Sequence, residues 1–130
     1  MPDLEHARLL LAIARRDLRT AEAMVNSTVF SGEVFGFHAQ QASEKALKAW
    51  LTVLGCDYPC IHDLDELLSL VRDRMPTIGA EFSSLSDLTP FAVQFRYDML
   101  DTGMSGIDRP AIVTAVHRLV DYVSQLIVPA

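Results

Sequence analysis

The chain has 130 residues, half of them apolar and 22% charged, with a net charge of −6 and a pI near 5.0. This composition excludes a disordered chain. It also excludes a general nucleic-acid coat protein, which needs surplus Lys and Arg to neutralise phosphates, though a local basic site is compatible with it. The length suits one domain over residues 1–130 with one core.

The N-terminus, Met1-Pro-Asp-Leu-Glu-His, is acidic and has no signal-peptide pattern. No apolar run approaches the roughly 18 residues that a membrane span requires. A cytoplasmic protein is expected, with Cys56 and Cys60 as reduced thiols.

Apolar residues at 4, 7, 11, 14, 18, 21 and 25 alternate steps of three and four, the stripe of an amphipathic helix. Asp3 is placed to cap its start, and Asn26-Ser27-Thr28 to end it. Arg8, Arg15, Arg16, Arg19 and Glu22 read as its solvated face. Ser31-Gly32-Glu33 opens a second helix that stops at Gly55. Its expected apolar set is Phe37, Ala42, Ala46, Ala49, Trp50 and Val53. Asp63 caps a third helix running to about Arg74, with Leu64, Leu67, Leu68 and Val71 on one side. Met75-Pro-Thr-Ile-Gly is a breaker, and a short helical turn is expected over Glu81–Leu85. Asp87 or Thr89 caps a further helix through Phe91, Val93, Phe95 and Arg96, with Pro90 in its first turn. After the Asp101-Thr-Gly-Met-Ser-Gly loop, Asp108 caps the last helix, with Pro110 in its first turn. No strand pattern or internal repeat is visible. The prediction is an all-α, antiparallel up-and-down bundle of four long helices plus one or two short ones. Its apolar helix faces exceed what one small bundle buries, which favours a homodimer.

Several constellations could carry chemistry. A bundle di-iron site needs paired Glu-x-x-His, and no Glu here has His three residues later. Cys56, Cys60 and His62 offer three zinc-type ligands without a fourth; the alternative is a pair of free thiols. A Cys60–His62 dyad would need the loop to turn back on itself. On the second helix, His38, Gln41, Lys45 and Lys48 fall along one side, either as a polar stripe for a phosphate or as a solvated face with a Glu44–Lys48 pair. Asp63 has an N-cap role, with His62 fixing the loop. Arg96-Tyr97-Asp98 ends an apolar helix. There Arg96 either serves the helix C-terminus or offers a planar fork to phosphate, with Tyr97 and Asp98 beside it.

Three segments jointly resemble the HEPN domain family: Phe37-His-Ala-Gln-Gln-Ala-Ser-Glu-Lys-Ala-Leu-Lys-Ala, His62-Asp-Leu-x-Glu-Leu-Leu and Leu88-Thr-Pro-Phe-Ala-Val-Gln-Phe-Arg-Tyr. The resemblance extends from about Leu9 to Leu126. It implies a helical bundle, usually homodimeric, without a cofactor. Many members are encoded beside a minimal nucleotidyltransferase and form toxin–antitoxin pairs with it; others cleave RNA without metal. The RNA-cleaving members carry Arg followed four to six residues later by His, where His would move protons and Arg would stabilise phosphate charge. Arg96 matches that Arg. No His follows at the family spacing, the next being His117, and Asp101 occupies one of the places where His would stand. A carboxylate with an ordinary pKa near ~4 suits that proton transfer poorly at neutral pH.

The sequence therefore predicts a homodimeric HEPN-type binding module, partner to a minimal nucleotidyltransferase in a toxin–antitoxin or nucleotide-binding system. Arg96, Tyr97 and Asp98 would bind a nucleotide or RNA, with Gln41, Lys45, Lys48 and His38 contributing from the second helix. The alternatives are a divergent metal-independent endoribonuclease using Arg96 with Asp101, Tyr97 or His62, and a dimerisation domain without a ligand.

Overall fold

The computed structural model describes residues 3–26, 29–58, 60, 63–90 and 108–127. Among them every regular element is helical: α1 (Leu4–Ala23), α2 (Gly32–Val53), α3 (Leu64–Arg74), α4 (Pro76–Ala80), a 3-10 helix (Ser83–Leu88) and α5 (Arg109–Ile127).

The helix starts are set by local chemistry. Asp3 Oδ1 accepts from His6 N at 2.9 Å and Ser31 Oγ from Val34 N at 3.2 Å. Asp63 Oδ1 accepts from Asp65 N at 2.9 Å and Asp108 Oδ1 from Ala111 N at 3.0 Å. Each bond satisfies a backbone donor that the first helical turn leaves open. Gly55, with φ 74°, ends α2 in the left-handed region. Its N–H donates to Thr52 O at 3.0 Å, and Cys56 N donates to Leu51 O at 2.9 Å, the paired bonds of a Schellman stop.

Two expectations about the short elements are corrected. Residues 75–79 do not simply break the chain: Pro76 stands at the first position of α4, where its missing N–H costs nothing. The expected turn over Glu81–Leu85 is a 3-10 helix shifted to Ser83–Leu88. Thr89 Oγ1 accepts from Leu64 N at 3.0 Å and so ties the end of the 3-10 helix to the start of α3. The helix expected through Phe91 and Arg96 lies outside the described residues.

α2 is the hub, in contact with α1, α3, α5 and the 3-10 helix. Its inner side is Phe35, Ala39, Ala42, Ala46, Ala49 and Trp50, all buried, and the alanines let neighbouring helices approach closely. Phe37, expected inside, is only half-buried. Residues two apart on a helix point away from each other, and Phe35 is the one in phase with Ala39, Ala42 and Ala46. Trp50 lies edge-on to Phe82 (centroids 5.8 Å apart) and tilted against Tyr122 (4.9 Å), with Nε1 3.4 Å from Met75 Sδ. Arg109 pins the start of α5 across the α1–α2 connection, donating to Met24 O at 2.8 Å and Phe30 O at 2.9 Å. Its guanidinium sits 5.3 Å from the centre of the Phe35 ring.

Candidate functional site

The polar side of α2 forms a continuous network. Gln41 Nε2 donates to Gln40 Oε1 at 2.7 Å, and Gln40 Nε2 donates to Glu44 Oε1 at 3.0 Å. Glu44 Oε2 accepts from Lys48 Nζ at 2.9 Å and from Lys45 Nζ at 3.3 Å. The i,i+4 steps from Gln40 to Glu44 to Lys48 place these groups one above another. Glu44 is fully buried and the Lys48 side chain is 9% exposed, whereas Lys45 keeps 24% of its side chain in solvent. The expected Glu44–Lys48 pair is thus present, but the face that carries it is not solvated. Among the described residues, the Glu44 carboxylate is flanked by two ammonium groups.

Beyond Lys48 the network meets the loop after α2. Lys48 Nζ stands 5.4 Å from the centre of the Tyr58 ring, a cation–π contact strengthened by burial. Tyr58 Oη and His6 Nε2 share a hydrogen bond of 2.9 Å. Burial pushes the Tyr58 phenol above its ordinary value of 10.0, while Lys45 pulls it down and Cys60 pushes it up. Asp3, His6, Thr52, Gly55, Cys56, Asp57 and Tyr58 line a cleft of about 500 Å³.

The structure therefore brings together Gln41, Lys45 and Lys48. His38 is held separately: its Nδ1 lies 3.1 Å from Asp17 Oδ1 on α1. Cys56 Sγ accepts from Arg74 Nη1 at 2.6 Å, and both cysteines are free. Among the described residues no three His, Cys, Asp or Glu side chains gather as a metal site. His62, Arg96, Tyr97, Asp98 and Asp101 lie outside the described residues. Sequence reasoning pairs Glu44 with Lys48 but only on a solvated face, and it misses Gln40, Tyr58 and His6 as parts of the cluster. The i,i+4 spacing of Gln40 and Glu44 is a readable signal for Gln40; nothing in the sequence points from Tyr58 to His6.

No helix among the described residues is long and apolar enough to cross a membrane. Neither a curated protein nor a solved structure matches the chain significantly. The family model of the HEPN domain matches residues 7–127. That span takes in α1 from Ala7 onward, the α2 network, the third helix and α5 to its last residue, and the chain belongs to the HEPN domain family.

Proposed function

We propose that this HEPN-type module is a cytoplasmic homodimer that binds a nucleotide phosphate or an RNA end and partners a minimal nucleotidyltransferase in a toxin–antitoxin or nucleotide-binding system. The observation that carries the binding role is the α2 cluster, in which a buried carboxylate presets two ammonium groups, one of them partly in solvent. Lys45, the more exposed of the two, is the group that reaches the ligand; Lys48 and Gln41 hold the arrangement. Arg96 and Tyr97 supply the planar fork and the hydroxyl, with Asp98 beside them. The missing His after Arg96 weighs against RNA cleavage.

The bundle in this proposal is antiparallel and up-and-down. Cross-helix contacts that run in opposite chain order support it. Asp17 meets His38 while His6 meets Tyr58, and Met24 meets Arg109 while Arg15 meets Ser124.

The test is titration of the purified protein with AMP, beside incubation with a mixed RNA pool in EDTA, each repeated with Arg96→Ala. AMP binding that is lost in the variant, with RNA left intact by both proteins, is the expected result. Unchanged AMP affinity in Arg96→Ala sinks the assignment. RNA cleavage that depends on Arg96 replaces the binding role with a nuclease one.

A further inference from the structure

The arginines of the described residues fall into two groups. Arg72 donates to Ser83, Arg74 to Cys56 and Leu54, Arg109 to Met24 and Phe30, and Arg118 pairs with Glu81. These fasten one element to another. Arg8, Arg15, Arg16 and Arg19 instead share the outer side of α1, and all four are exposed. Arg15 donates to Ser124 on α5. The guanidinium groups of Arg8, Arg16 and Arg19 have no hydrogen-bond, ion-pair or ring partner among the described residues, in a chain with 17 acidic residues.

Helical geometry sets these four within an arc of about 100° and along about 16 Å of axis. Ala12 is the residue between them on that arc, and Glu5 and Glu22 close it at either end. We propose that this face docks a phosphodiester backbone. Guanidinium groups match phosphate oxygens in a planar fork, and contact through several of them in a row is the electrostatic footprint of backbone binding. A protein partner would require several apolar anchors at the centre of the patch, where charged residues are ordinarily depleted; the centre here is Ala12, and one exposed apolar side chain, Leu9, stands at the edge of the arc. A second copy of the chain is disfavoured because arginine would face arginine. The inference shares the ligand class of the proposed function but uses neither Arg96 nor the α2 cluster.

The experiment measures anisotropy of a short labelled single-stranded RNA, and of DNA of the same sequence, titrated with the full chain over about 25–200 mM salt. Three to four phosphate contacts on a single strand give a slope of log K against log salt of about −2 to −3. Arg8→Gln/Arg16→Gln/Arg19→Gln is expected to lose at least tenfold affinity at low salt and to flatten the slope to about −0.7. Arg118→Gln, an exposed arginine on another face, is the control expected to bind as the parent does. Binding of RNA and DNA alike supports the backbone as ligand, and binding of RNA alone supports it with added ribose contacts. No oligonucleotide binding, or binding that the triple variant retains, overturns the proposal. So does poly-glutamate binding with the same arginine dependence in the absence of oligonucleotide binding, which would make the face a protein-docking surface. AMP binding read in parallel separates the two sites: the triple variant is expected to keep it, and Arg96→Ala to lose it while keeping the oligonucleotide.

Discussion

At Glu44, one carboxylate out of reach of water accepts from Gln40, Lys45 and Lys48. Taking two charges from solvent is costly, and removing one member of such a buried group leaves the other uncompensated. Glu44→Ala is therefore expected to lower stability by about 3–5 kcal/mol in urea unfolding. Glu44→Ala/Lys48→Met is expected to recover part of that loss, because the stranded ammonium is gone. A loss under about 1 kcal/mol would match the modest energetics of solvated pairs instead. Tyr58 gives a second test. Its phenol titrates above 10.0 in the folded chain because burial favours the neutral form. An acid whose folded value is raised keeps its full contribution below the unfolded value and loses it as pH rises through the folded one. From about pH 10 upward the parent is thus expected to lose melting temperature faster than Tyr58→Phe; parallel alkaline profiles would count against that burial. The burial of Glu44 was not legible in the sequence. Spacing showed that Gln41, Lys45 and Lys48 share one side of a helix, but a polar stripe reads alike whether water or Tyr58 lies over it.

Helix limits were far easier to read, because caps are decided within four residues of the chain. Asp3, Ser31, Asp63 and Asp108 were all identifiable as starts, and Gly55 as a stop. The short elements were harder. Whether residues 75–88 coil or wind depends on what they pack against, and α4 and the 3-10 helix both lie beside α3. Gly79 shows how tight that contact is. A Cβ there would stand 2.9 Å from Arg72 Cγ and 3.1 Å from Arg72 Cα, so a helix backbone, and not only a pliant side chain, would have to yield. Alanine at a helical glycine ordinarily adds about 1 kcal/mol of helix propensity. Gly79→Ala is expected to reverse that sign, destabilising the chain by about 1–3 kcal/mol in thermal or urea unfolding, in the range of overpacked sites. A stabilised variant would mean that α4 moves freely off α3. Phe35 and Phe37 make the same point about phase: either could be the core residue until the neighbouring helices fix which side of α2 is inside.

For the whole molecule, the proposed homodimer is the claim with the widest reach. Sedimentation is expected to give a mass twice that of the 14.4 kDa chain at micromolar concentration, and a monomer at all concentrations would rule the dimer out. Because α1 presents Arg8, Arg16 and Arg19 outward, without partners among the described residues, the same dimer is expected in the Arg8→Gln/Arg16→Gln/Arg19→Gln variant. The surroundings of Trp50 bear on how such measurements can be made. It is the only tryptophan in the chain, and it touches Met75 between α3 and α4, Phe82 before the 3-10 helix and Tyr122 on α5. A single indole at that junction is a built-in fluorophore. Its emission is expected to be blue while the junction is dry and to move red when any of the three neighbours withdraws, so one unlabelled optical signal would follow the cohesion of most of the core.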